Sequence, residues 1–196
     1  MIDRIHDVAK AYRKLVHACS YPGEKVSLTE YSKKNELHFG LSDALVLFAY
    51  MLLDAEVNFS VVGEGSNEIT HQLMNLTYSK RADYYEADFI LITKDAQETE
   101  VEDALSKVKV GSLVDPHLSA TVIYEIDSLD EGIPYEIKGP GIKDCHTIHL
   151  QTSVEWNRIR KEKNKEFPLG IDLYFIDKKN QLLALPRTIQ VIQGGE

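Results

Sequence analysis

Three stretches of the chain carry residue types that could do chemistry. The first is Val62-Gly63-Glu64-Gly65-Ser66-Asn67-Glu68, where two glycines between a strand pattern and a helix pattern suggest a phosphate-cradling loop. A helix N-terminus attracts anions because its first amides are unpaired and its dipole is positive there. In this stretch the third glycine of a GxGxxG loop is replaced by Glu68, and Glu64 and Glu68 would repel a diphosphate. No P-loop sequence occurs anywhere. The stretch therefore reads as a structural turn. The second, Cys145-His146-Thr147-Ile148-His149, offers three possible metal ligands. A closed zinc site needs about four, in paired clusters, and Cys19, His17, His38, His71 and His117 are scattered elsewhere. These histidines read as a solvated pair on a loop or strand, and no metal or other cofactor is expected. A catalytic role for Cys145 would need a base and an orienting group that spacing does not supply.

The third stretch is the most informative. Phe167-Pro168-Leu169-Gly170-Ile171-Asp172-Leu173 is followed by Leu183-Ala184-Leu185-Pro186-Arg187-Thr188. If the two segments form a hairpin with Ile176 facing Gln181, then Asp172 faces Leu185 and Arg187 faces Gly170. Asp172 and Arg187 become diagonal neighbours at ~7–8 Å, within reach of a long side chain. Gly170 would let the chain pass close to the arginine. Two roles follow. The pair locks the end of the hairpin, which is the reading the spacing favours, or Asp172 orients Arg187 toward an anionic group or a partner's carboxylate. Arg187, Asp172, Gly170 and Thr188 form the candidate contact set. There is no GxSxG, no HExxH, no cysteine triplet and no acid pair, so no catalytic residue is assigned and an independent enzyme is not supported.

Elements must position these residues. Ile5, Val8, Ala9, Tyr12, Leu15, Val16 and Cys19 recur at helical spacing, which predicts an amphipathic helix with that face inward. Tyr21-Pro22-Gly23 ends it. Ser42 caps a second helix through Leu53, apolar nearly all round and so buried. Val57 to Val62 reads as a strand, with Ser66 or Asn67 capping the helix that follows to about Tyr78. Asp88 to Thr93 is a buried strand, and Thr99-Glu100-Val101-Glu102 is a capping box opening a short helix. Thr121 to Ile126 and Ile133 to Lys138 read as strands. Thr152-Ser153-Val154-Glu155 is a second capping box, opening a basic helix that ends near Lys165. Ile171 to Ile176 and Gln181 to Leu185 close the chain as a hairpin around Asp177-Lys178-Lys179-Asn180. Strands and helices interleave, so the expected fold is α/β, a three-layer arrangement with a mixed central sheet flanked by helices. With 196 residues and no linker or repeat, a single domain spanning 1–196 is expected.

Composition narrows the function class. A hydrophobic fraction of 43% with 27% charged residues is that of a globular protein. A net charge of −9 argues against nucleic-acid binding, which needs clustered Lys and Arg. The longest apolar run, Ala44 to Leu53, is 10 residues, against about 20 needed to span a bilayer as helix. The N-terminus carries acids and no signal-peptide core. Cys19, on the apolar helix face, is expected to be a core thiol. A reduced, cytoplasmic protein with no membrane association is the reading.

The punctuation of these elements also carries a resemblance. Tyr12-Arg13-Lys14-Leu15-Val16 with Ser20-Tyr21-Pro22-Gly23, then Gly111-Ser112, Pro116, Ala120-Thr121 and Gly139-Pro140-Gly141-Ile142, occur in the order found in the PhnH family of phosphonate-metabolism proteins. Phe167 to Leu173 and Ala184-Leu185-Pro186-Arg187-Thr188 resemble that family's C-terminal F-P-L-G-I-D-L and A-x-P-R-T signatures. The resemblance implies a fold similar to the large domain of pyridoxal-phosphate-dependent transferases, without a cofactor site. It also implies a homodimer in isolation and assembly with PhnG, PhnI and PhnJ counterparts into a carbon–phosphorus lyase core complex. That complex forms ribose 1-phosphonate 5-triphosphate from ATP and a phosphonate. The alternative is a stand-alone enzyme or binder acting on a phosphonate or nucleotide. The acidic run Glu98 to Glu102 and the basic run Arg158 to Lys165 depart from the family pattern and read as solvated faces.

Overall fold

The computed structural model describes residues 1–152 and 154–193. In chain order the elements are α1 (His6–Ser20), β1 (Val26–Ser27), α2 (Thr29–Ser32), α3 (Asp43–Leu52), β2 (Asn58–Val62), α4 (Ser66–Thr77), β3 (Lys80–Arg81) and β4 (Phe89–Ile92). They continue with α5 (Glu98–Lys107), β5 (Thr121–Glu125), β6 (Ser128–Lys138), β7 (His146–Gln151), α6 (Trp156–Lys163), β8 (Asp172–Ile176), β9 (Gln181–Leu185) and β10 (Gln190–Gln193).

The central sheet has the order β1-β9-β8-β5-β4-β2-β3. Strands β3, β2, β4, β5 and β8 are mutually parallel, and β9 runs against both β8 and β1. The fold is thus α/β with a mixed sheet, as expected, and the sheet is mostly parallel. Its strands alternate cleanly between two cores, because successive side chains point to opposite faces. Ile90, Ile92, Val122, Tyr124, Leu173, Phe175, Leu183 and Leu185 face one core, where helices α5 and α6 and a second sheet, β10-β6-β7, contribute Leu105, Trp156, Ile137 and Val191. Phe59, Leu91, Ile123, Ile176, Leu182 and Ala184 face the other, with α1, α3 and α4. Trp156 packs at 5.0 Å between ring centroids from Phe175 and 5.1 Å from Tyr135, tying α6 to both sheets.

Helix α3 conforms to its sequence: the Ser42 hydroxyl accepts the Leu45 amide at 3.3 Å, and Ala44 through Ala49 are all buried. Helix α1 does not. Its buried residues are Asp7, Ala11, Leu15 and Ala18, while Ile5, Tyr12 and Val16 are 74%, 47% and 47% exposed. Alanines at 11 and 18 let the backbone approach β9 closely, so the face with small side chains went inward and most of the larger apolar stripe stayed out. Asp7 tolerates burial because it accepts the Asp3 amide at 3.0 Å and pairs with Lys34 at 2.7 Å, and these bonds hold its carboxyl below the usual range. Cys19 is consequently half-buried, its thiol donating to the Tyr174 hydroxyl at 3.2 Å.

Three termini also differ. Helix α4 is entered from Gly65 in the left-handed region, not from Ser66 or Asn67. The capping box of α5 is Gln97 with Glu100, two residues before Thr99 and Glu102. The second expected box includes Ser153, which lies outside the described residues; α6 starts at Trp156, after Glu155, and the Thr152 hydroxyl donates to the Val154 carbonyl at 3.1 Å. The chain does not close with β9 either, since β10 pairs antiparallel with β6 and extends the second sheet. No helix among the described residues is long and apolar enough to cross a membrane.

Candidate functional site

The β8–β9 hairpin brings Asp172 and Arg187 together, by a route other than the one spacing suggests. The loop holds Asn180 in the left-handed region (φ 58°), with Asp177 and Gln181 bonded across it at 3.1 Å. This three-residue loop pairs Ile176 with Leu182 and Leu173 with Leu185. The register is one residue from the expected one, which by strand alternation would put residues 172 and 187 on opposite faces. The pair forms because β9 ends at Leu185 and Pro186 turns the chain back over the start of β8. The Arg187 amide donates to Asp172 Oδ1 at 2.7 Å, Nε to the same oxygen at 3.3 Å and Nη2 to Oδ2 at 2.5 Å. The other guanidinium nitrogen, Nη1, donates to the Pro116 carbonyl at 2.9 Å. Both side chains are about four-fifths buried.

Gly170 meets a different neighbour from the one expected. Its φ is +133°, and a Cβ there would lie 2.6 Å from Asn164 Oδ1 and 3.1 Å from Asn164 Cα. The close approach is to α6's C-terminal asparagine, not to Arg187. Asn164 is the hub of this corner. Its Oδ1 accepts the Ile171 amide at 2.8 Å, and its Nδ2 donates to the carbonyls of Ile171 at 3.2 Å and Arg187 at 3.4 Å. Thr188 is exposed. The Phe167–Pro168 peptide that leads into the corner is cis.

These elements enclose a cavity of about 530 Å³ whose lining includes Arg160, Lys161, Lys165, Phe167, Arg187 and Thr188, and to which no described carboxylate contributes. Arg160 is 3% exposed. Its Nη2 donates to the Pro186 carbonyl at 2.8 Å, while its Nε has no partner among the described residues. Burial pushes its guanidinium down to about 10, against a smaller opposing pull from Asp172. A cationic concavity suits an anionic group, from a ligand or from a partner's surface. Asn164 and Arg160 were missed in the sequence because the basic run around them reads as a solvated face. The spacing of Trp156, Ile159 and Arg160 was the available signal, since it places the arginine on the helix's apolar side.

The remaining sequence candidates stay apart. His146 and His149 lie on β7 and, three residues apart on a strand, point to opposite faces. No group of three or more metal-ligating side chains occurs among the described residues.

Comparison with known proteins follows the same residues. The sequence model of the family described as "Bacterial phosphonate metabolism protein (PhnH)" matches residues 1–192, which takes in both walls of the cavity. The chain is 29% identical over 188 residues to a protein of Stutzerimonas stutzeri that carries the name C-P lyase subunit protein HtxG, covering 94% of this chain and 86% of that one. With its family signature folded into one ion-paired corner and matched over nearly its whole length, the chain belongs to the PhnH family.

Proposed function

We propose that this protein is an accessory subunit of a carbon–phosphorus lyase complex in phosphonate catabolism, acting as one domain and supporting the formation of ribose 1-phosphonate 5-triphosphate. The family match over residues 1–192 carries the reading, and the likeness to a C-P lyase subunit supports it. The Arg187 corner suits such a role. Its ion pair and the Asn164 hub fix the geometry of this surface. Beside it stand exposed apolar side chains, Phe167 on the cavity rim and Leu118 two residues beyond the Pro116 carbonyl that Arg187 holds. Exposed apolar groups flanking a fixed charge are a common make-up for a docking surface. The partners of this reading are PhnG, PhnI and PhnJ counterparts, and the isolated chain is a cytoplasmic homodimer whose mostly parallel sheet is similar to that of pyridoxal-phosphate-dependent transferases. Co-expression with the three counterparts and affinity capture on one of them tests it: the wild-type chain co-elutes in fixed stoichiometry. Elution of a folded chain free of all three overturns it.

The cationic lining of Arg160, Lys165 and Arg187 favours a second reading, in which this subunit itself holds the phosphonate or nucleotide in the cavity. Saturable binding of a phosphonate nucleotide to the isolated chain, lost in Lys165→Ala, distinguishes it from docking alone.

A further inference from the structure

A second cavity, of about 390 Å³, follows the uncovered edge of the central sheet and shares no lining residue with the Arg187 site. Its size falls within the ~300–1,000 Å³ typical of small-molecule sites. It exists because β3 is only two residues long. That strand pairs Lys80 with Asn58 and Arg81 with Phe59, and the chain then turns away. The carbonyls of Val57 and Phe59 accept the amides of Lys80 and Ala82, at 3.2 and 2.9 Å. By the two-residue period of a strand, the peptide groups of Val61 face the opening with no strand beyond them.

Two buried hydroxyls line this opening. Ser60 on β2 and Thr70 on α4 are 9% and 5% exposed, both line the cavity, and neither hydroxyl makes a hydrogen bond among the described residues. Both hydroxyls open onto the cavity, where each can donate to and accept from an occupant. Helix α4, 12 residues long, starts at the same cavity with Ser66 and Asn67, and no side chain caps it. The Ser66 amide bonds the Gly63 carbonyl at 3.3 Å, and the amides of Asn67 and Glu68 remain available to an anion. Arg81 Nη1 donates to Asn67 Oδ1 at 3.1 Å, which parks the guanidinium beside that helix end. The acids that counted against an anion here in the sequence, Glu64 and Glu68, do not line the cavity, and Glu68 is turned to accept from Gln72 at 2.8 Å. One carboxylate does line it, Asp83, which accepts from the Tyr85 hydroxyl at 3.2 Å. Lys107, paired with Asp103, completes the charged lining.

A bare anion would fill only part of this space and would leave Asp83 as a repulsive neighbour. A ligand with an anionic end and a hydroxylated end uses both. We propose that this cavity binds a small phosphorylated polyhydroxy compound, its phosphate held by the amides of Asn67 and Glu68 with Arg81, and its hydroxyl groups held by Ser60, Thr70 and Asp83. The site does not depend on the docking role of the Arg187 corner.

Isothermal titration of the full-length protein with glucose 6-phosphate, inorganic phosphate and glucose tests the proposal. Glucose 6-phosphate binds saturably, inorganic phosphate at least tenfold more weakly, and glucose not measurably. Arg81→Met weakens glucose 6-phosphate by at least tenfold. Thr70→Val, which removes one hydroxyl at nearly constant shape, weakens it by about threefold to tenfold. Lys165→Ala, in the other cavity, leaves it unchanged, and urea unfolding of each variant verifies that it is folded. Absence of saturable binding up to 10 mM (roughly the weakest affinity of interest) overturns the proposal. So does binding that survives Arg81→Met and disappears in Lys165→Ala, and equal affinity for phosphate and glucose 6-phosphate removes the hydroxyl half of the site.

Discussion

Replacing Arg187 with alanine leaves the Asp172 carboxylate at 21% side-chain exposure with the residue 187 amide as its one remaining donor, and it frees the Pro116 carbonyl. Removing one partner of a fully buried pair costs about 3–5 kcal/mol, and a solvent-exposed pair is worth about 0–1 kcal/mol. At 18% and 21% exposure, with three charge-assisted bonds from one guanidinium, this pair lies toward the buried limit, so Arg187→Ala costs about 2–3 kcal/mol. For a chain of this length each kcal/mol lowers Tm by about 2–4 °C, which predicts a fall of roughly 5–10 °C. Asp172→Ala costs a similar amount, since it strands the guanidinium. The double variant separates partnership from mere proximity. If the two side chains act as one unit, the losses are non-additive, with a coupling of at least about 1.5 kcal/mol in a urea-denaturation cycle. Arg187→Lys recovers less than half of the loss, because a single ammonium cannot bond both carboxylate oxygens and the Pro116 carbonyl together. Losses that add to within about 0.5 kcal/mol would refute the assignment of this pair as the lock of the corner.

Two further outcomes follow from single positions. Gly170→Ala costs about 3 kcal/mol, from the φ of +133° and a Cβ 2.6 Å from Asn164 Oδ1, whereas Gly65→Ala costs about 1 kcal/mol because nothing lies within 4 Å of its added Cβ; thermal unfolding of the two variants measures the contrast. Asp130 bonds Lys179 and Lys25, and these bonds, Lys179's first, hold its carboxyl at about 2, below the ordinary 3.8. A depressed carboxyl contributes its stability above about pH 4 and loses it as pH falls through about 2. The gap in urea stability between wild type and Asp130→Asn is therefore constant from pH 5 to 7, closes near pH 2, and shrinks in high salt because the site is exposed.

The C-terminal corner shows how sequence and tertiary information divide. The motif spacing identified Asp172 and Arg187 as partners, and they are. The inferred register was wrong by one residue, since a loop with Asn180 in the left-handed region cannot be told by composition from a loop one residue longer. The partnership survived because Pro186 ends the strand whatever the register, and a proline cannot continue a ladder. Gly170 was singled out for the right reason, a close backbone approach, but the neighbour belongs to α6, and no local pattern reports what an element far along the fold brings near.

What the sequence determined by itself is what depends on neighbours along the chain. The buried apolar run of α3, the Ser42 cap, the alternation of β4, β5 and β8, and the family signature all express local sterics and periodicity. The tertiary structure decided which face of α1 went inward, because hydrophobic periodicity ignores size and the alanines packed closest. It decided that Arg160 is buried, and that a strand of two residues leaves Ser60 and Thr70 facing an open sheet edge. Those outcomes depend on contacts between residues distant in sequence, whose free energy enters only when the sheet and its helices assemble.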